Sequence, residues 1–162
     1  SGDTVSVPSG ATVSLPDGSN MAPSFFGKLS ANQSVANDTT TIVQIATEVY
    51  DQGSVFDTST YRFTPGIASS KFYIYGQASL SNLTVDKALW VYIYKNGSIF
   101  YAANNGNTQS GVTDTMVNFA VIDTPNATDY YDMRVYHTDG SSENLRVDNY
   151  ETNFGAFRII GA

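Results

Sequence analysis

The sequence predicts an all-β protein, an antiparallel sandwich of the jelly-roll kind, and three observations predict it. Charged residues are only 14% of the chain, against about 25% in a typical domain. The polar surface is therefore built from Ser, Thr, Asn and Gln, which compete with helical backbone hydrogen bonds and suit strands and turns. Polar and apolar residues alternate through "SKFYIYGQASL" (70–80) and "KALWVYIYKNGSIFYAA" (87–103), the period of a half-buried strand. Gly, Asn, Asp and Pro punctuate these runs, and Asn96-Gly97 is the strongest short hairpin signal a sequence offers.

Taken in order, the chain begins with a repeat of period eight. "TVSVPSG" (4–10) and "TVSLPDG" (12–18) each read as a brief strand closed by a Pro-x-Gly turn. A unit so short cannot bury its apolar face alone and needs neighbours or partner chains. The pattern resembles the stem repeats of bacteriophage fibre proteins, so residues 1–23 are expected to form an extended stem and 24–162 a head. Within the head, Phe26 and Leu29 fall on a first strand. "TTTIVQIATEVY" (39–50) also fits a helical face through Ile42, Ile45, Ala46 and Val49, but its β-branched residues, with Asn37-Asp38 before them, favour a strand. "QGSVFDTSTYRFTPG" (52–66) is dense in turn chemistry. Gly53 can supply a positive φ before a strand, and Pro65-Gly66 ends the next one sharply. "DTMVNFAVID" (114–123), "DYYDMRVYHTDGS" (129–141), "ENLRVDNY" (143–150) and "FGAFRIIGA" (154–162) continue the strand habit.

Composition excludes several classes of function. A net charge of −7 with no Lys/Arg cluster repels a phosphate backbone, so nucleic acid is not an expected partner. The absence of Cys removes disulfides, thiolate nucleophiles and Cys-ligated zinc together. No apolar run reaches the length of a membrane-spanning helix, and no membrane insertion is expected.

Gly53 with Phe56-Asp57, Phe63-Thr64-Pro65, the aromatic strand Phe72-Tyr73-Ile74-Tyr75, the hairpin Lys95-Asn96-Gly97 and the closing Phe154-Gly155-Ala156-Phe157 follow one another in a recognisable order. Over about residues 26–162, they resemble the globular head of complement subcomponent q and, with it, the tumour-necrosis-factor-like jelly rolls. The resemblance implies a homotrimer around a three-fold axis, with the strand at 88–95 and the closing strand at the subunit contact. In "ALWVYIYKNG" one face carries Leu89, Val91 and Ile93 and the other Trp90, Tyr92 and Tyr94. Aliphatic side chains suit the interior, whereas rings with a polar tip suit an interface. Trp90, Tyr92, Tyr94 and Phe154 are accordingly the expected trimer contact.

No enzyme is expected. The one histidine, His137, reads as a surface turn residue beside Asp139 and Gly140, and no nucleophile-elbow motif accompanies it. Cofactors are not expected either, although Asp139, Glu143, Asp148 and Glu151 gather oxygen donors of the kind calcium takes. Sequons start at Asn32, Asn37, Asn82, Asn96 and Asn126, and chance explains them in a chain so rich in Asn, Ser and Thr. Tyr101, Asn104, Asn105, Tyr130 and Tyr131 read as loop-tip residues able to hold a sugar, the rings stacking on pyranose C–H groups and the amides bridging hydroxyls. The function expected from these observations is the receptor-binding tip of a trimeric virion fibre, from a phage tail or head, attaching to a cell-surface glycan or protein. The alternatives are a secreted complement-q-like recognition or signalling ligand, and a virion decoration protein with a structural role only.

Overall fold

Side chains that alternate along the sequence alternate across two antiparallel sheets in the computed structural model, which describes residues 22–106 and 114–159. The repeats of the expected 1–23 stem lie outside the described residues. The first sheet runs β2 (Gln33–Val35), β12 (Glu143–Leu145), β7 (Phe72–Ser81), β13 (Asn153–Arg158), β1 (Ser24–Lys28) and β4 (Thr47–Gln52), with β10 (Asp114–Asp123) on the other side of β7. The second runs β5 (Phe56–Asp57), β6 (Arg62–Phe63), β11 (Tyr131–His137), β8 (Ala88–Lys95) and β9 (Ser98–Gly106), with β3 (Thr41–Ile42) also on β11. A 3-10 turn, Asp148–Tyr150, precedes the last strand. Neighbours in sequence are seldom neighbours in a sheet, which is the jelly-roll arrangement of crossing connections.

The stretch 39–50 forms neither a helix nor one strand. It pairs with β11 at Thr41–Ile42 and with β1 from Thr47 onward, so the chain changes sheets in between. The crossing bends at Ile45, whose N–H donates to the Val43 carbonyl at 3.0 Å, and it buries Val43 and Ile45 in the core. The turn-rich 52–66 closes a short hairpin in which Phe56 faces Phe63. Gly53 takes φ 105° and Gly66 φ 72°, values that side chains with a Cβ resist. The Asp51 carboxylate accepts the Val55 and Phe56 N–H groups, each at 3.0 Å, and so sets the entry to β5.

Between the sheets lies an aromatic core. Phe25 stacks on Phe56 and Phe63 at 4.5 and 4.9 Å and meets the edge of Phe154 at 5.1 Å. Leu89, Val91 and Ile93 point inward and are fully buried. Within the first sheet, β7 sits tightly between β13 and β10 where a side chain is missing. A Cβ at Gly76 would lie 2.6 Å from the Asn153 carbonyl oxygen and 2.9 Å from the Phe119 ring. The backbone oxygen belongs to a paired strand and cannot retreat without breaking the ladder. Gly76→Ala is therefore expected to destabilise the fold by about 3 kcal/mol, the upper part of the overpacking range, read as a lowered urea midpoint.

Candidate functional site: two ring-bearing sheet faces

Each sheet turns a set of aromatic side chains outward, and the two sets differ in chemistry. On the first sheet, β7 presents Tyr73 and Tyr75, β13 Phe157 and β1 Phe26. Gly155 stands opposite both Phe26 and Tyr75, and a Cβ there would lie 2.7 Å from the Tyr75 ring. The missing side chain lets Phe26 and Tyr75 stack across it, with centroids 6.2 Å apart. Tyr73 packs on Tyr75 at 5.8 Å and on Phe157 at 5.3 Å. Tyr150 extends the cluster at 6.1 Å from Phe26, beneath the Lys28 ammonium at 4.2 Å. It is held there with φ 62°, a strained value for a bulky residue. Burial, and then the neighbouring Tyr50, push the Tyr75 phenol up to about 12.

Beside this face run β9 and β10, edge strands of the two sheets among the described residues. β9 exposes Ile99 (59%), Phe100 and Tyr101, and β10 exposes Met116 and Ile122 (58%). The edges are tied where the Asn105 amide donates to the Met116 carbonyl at 3.3 Å. Ile122 stands opposite Tyr73 and Ala120 opposite Tyr75, so the apolar edge and the ring cluster are continuous. A shallow groove of about 580 Å³ lies between them, with Tyr75, Phe26, Asn118 and Tyr101 among its walls.

The outer face of the second sheet carries the expected Trp90, Tyr92 and Tyr94, half-buried and alternating with the inward aliphatics as anticipated. Trp90 meets the edge of Tyr136 at 5.4 Å, and Tyr92 stands perpendicular to Tyr94 at 6.3 Å. The Arg134 guanidinium lies 3.9 Å over the Tyr94 ring and pairs with the buried Asp132 carboxylate at 2.5 Å. Phe154 belongs to neither face. It is fully buried against Phe25, Phe56 and Phe119, because alternation along β13 sends 154 inward and 157 outward. No partner chain can reach it.

The five expected sugar-binding residues do not form one loop tip. Tyr101, Asn104 and Asn105 are on β9 itself, and alternation sends them to opposite sides: Asn104 opposite Trp90, Tyr101 opposite Ile93. Tyr130 lies under the Arg62 guanidinium at 4.1 Å. Tyr131 is fully buried, stacked on Phe63 at 5.9 Å, so it cannot touch a ligand. Its hydroxyl donates to Asp123, which also holds Lys95 at 2.6 Å, and Lys95 reaches Asp129 at 3.1 Å. This cluster ties the 95–98 hairpin to the start of β11, a role that a pattern of turns does not reveal.

The cluster makes the fold acid-sensitive. Hydrogen bonds from the Asn96 amide and the Asn126 N–H, joined by Lys95, hold the Asp129 carboxyl at about 2 against an ordinary 3.8. A carboxyl depressed in the folded state stabilises it above pH 4 and loses that contribution as pH falls toward 2. The melting-temperature gap between the native protein and Asp129→Asn is thus expected to close between pH 4 and pH 2 in thermal melts. A gap that stays constant across that range would rule the explanation out.

His137 is no surface residue. It ends β11 fully buried, with Nε2 3.1 Å from the Val35 carbonyl oxygen and Nδ1 accepting the Asp139 N–H at 3.3 Å. Inward alternation carries it under the β2 strand, where it satisfies backbone rather than solvent. The acidic residues offered for calcium also separate. Asp139 accepts the Thr84 N–H and the Ser141 hydroxyl, and Glu143 the same hydroxyl. Asp148 and Glu151 instead surround Arg146 at 2.9 and 3.1 Å. Among the described residues no three acidic or imidazole groups come together as a metal-binding cluster. Of the sequon amides, Asn32, Asn37 and Asn96 are engaged in hydrogen bonds to the backbone of distant segments.

No protein-family model and no curated protein sequence matches the chain. Solved structures match its fold. Eiger TNF from S. frugiperda superposes with a TM-score of 0.60 at 11% identity, over 86% of this chain and 92% of that one. Murine APRIL at pH 5.0 gives 0.61 at 12% identity, and at pH 8.5 gives 0.60 at 10%, each over 84% of this chain and 98% of that one. The fold is a tumour-necrosis-factor-like jelly roll. Among the described residues no helix is long and apolar enough to cross a membrane.

Proposed function

We propose that the chain is the non-enzymatic, receptor-binding head of a trimeric virion fibre, attaching to a glycan or protein on a cell surface. The observation that carries the trimer is the pair of unlike apolar surfaces on one chain. The ring cluster of the first sheet and the aliphatic edge of β9 and β10 are adjacent but differently shaped, so the edge of one copy can cover the rings of the next. A contact between unlike surfaces closes into a ring when its rotation allows, and the resemblance of the sequence to complement-q heads supports a three-fold ring. The closing strand then contributes Phe157, while Trp90, Tyr92 and Tyr94 face outward. An assembled head presents its receptor sites in threes, and linked weak sites bind through effective concentration. The eight-residue repeat and the uncharged polar surface support a fibre. With His137 in the core, a Ser-His-Asp triad has no base to use.

A second reading, a secreted recognition or signalling ligand, draws support from the likeness to Eiger TNF and APRIL. Sequence upstream separates the two. Further Thr-Val-x-x-Pro-x-Gly units or a virion-attachment region favour the fibre, and Gly-x-y triplets favour the ligand. Light scattering on the purified protein tests the shared premise, with three times the 17.5 kDa chain mass expected. A stable monomer at micromolar concentration overturns it. Loss of cell binding with the trimer intact would leave a decoration protein.

A further inference from the structure

We propose that the outer face of the second sheet binds a neutral oligosaccharide, with Trp90, Tyr92 and Tyr94 as the stacking platform and Asn104 and Arg134 as hydroxyl-binding groups. This rests on the reading of the chain as a receptor-binding head, and it names the site and the ligand class.

The platform is held in place before any ligand arrives. Trp90 is fixed by the edge of Tyr136, whose hydroxyl donates to Asp38 at 2.8 Å, and Tyr92 by the perpendicular Tyr94. On β9 the residue opposite Tyr92 is Ala102, too small to cover the ring. Asn104, opposite Trp90, is exposed and its amide makes no hydrogen bond to another described residue. Arg134 spends Nε and Nη2 on Asp132 and keeps the Nη1 hydrogens as donors, while its plane over Tyr94 continues the flat surface. Half-buried rings beside fixed donors and acceptors match a pyranose, which has an apolar C–H face and a polar rim. Preorganised side chains lose little freedom on binding.

Charge selects the class of sugar. The one cation among these ring contacts is already neutralised by Asp132, and the chain carries a net −7. An anionic glycan would be repelled over a distance of about 8 Å at physiological salt. Rings of this kind also suit a protein interface, but the large exposed aliphatic side chains that would complete one sit at the β9–β10 edge. Ile99, Met116 and Ile122 are all there.

Trp90 is the chain's sole tryptophan, so its emission reports directly on this face. The experiment titrates the purified head with neutral gluco-, galacto- and manno-configured trisaccharides, and with a sialylated trisaccharide for comparison. A saturable change in Trp90 emission is expected with at least one neutral sugar. Tyr92→Ala should weaken it about tenfold, the loss of one stacked ring, while Tyr92→Phe stays within about twofold. Asn104→Ala should weaken it as well, with the mass from light scattering unchanged in every variant. The proposal is overturned if no neutral sugar moves the emission, if only the sialylated one does, or if Tyr92→Ala and Asn104→Ala bind like the native protein. Cell binding separates this from the broader reading. Binding that survives periodate treatment of the cells means a protein receptor, so the glycan site falls and the head stands. Native protein that binds no cell in a panel of candidate hosts removes the head itself.

Discussion

Ile122→Asp is expected to convert the assembled protein into a folded monomer, read as a drop to a single chain mass in light scattering with an unchanged far-ultraviolet spectrum. Ile122 is 58% exposed in the isolated chain, so its replacement leaves the core untouched and costs the monomer little. In the proposed trimer the same side chain is buried against the next copy's rings. A carboxylate there must be desolvated without a partner, which costs several kcal/mol at each contact. Three equivalent contacts multiply the effect in a closed ring. Tyr92→Asp, on the opposite sheet, should leave the mass unchanged. The reverse pattern, with Tyr92→Asp dissociating the protein and Ile122→Asp not, would move the contact to the Trp90, Tyr92 and Tyr94 face that the sequence first suggested.

Phe154→Ala should unfold the protein rather than dissociate it. The ring is fully buried and meets Phe25, Phe56 and Phe119 within a single chain. Truncating a buried Phe removes its transfer energy and leaves a cavity, a loss of about 3–5 kcal/mol. For a domain of this size that lowers the melting temperature by roughly 6–20 °C. The denaturant midpoint should fall in proportion, while the native fraction keeps its oligomeric mass below the transition. A variant that melts like the native protein but scatters as a monomer would return Phe154 to an interface.

These two residues show how far a sequence reaches. Alternation in "ALWVYIYKNG" places Leu89, Val91 and Ile93 inside and Trp90, Tyr92 and Tyr94 outside, because a strand with one buried face has only two sides to offer. Asn96-Gly97 marks the β8–β9 hairpin, and Gly53 and Pro65-Gly66 mark the turns about β5 and β6, because those backbone angles are local demands. Phe154 was misplaced for lack of the closing strand's phase. "NFGAFR" alternates equally well with either parity, and the pairing of Phe154 with Gly76 decides it. Tyr131 and His137 look like turn residues in the sequence because Asp129 and Asp139-Gly140 flank them, yet they begin and end a strand whose inward side runs under distant segments.

By itself the sequence determined the all-β class, the hairpins, the inward aliphatics of β8 and the absence of thiol chemistry, since each follows from residues near one another along the chain. Tertiary structure alone decided that Tyr73, Tyr75, Phe26, Phe157 and Tyr150 form one surface, that Lys95 locks onto Asp123 and Asp129, and that the acidic loop residues part company. Those groupings join positions separated by tens of residues, through strand order and register, which local composition does not encode.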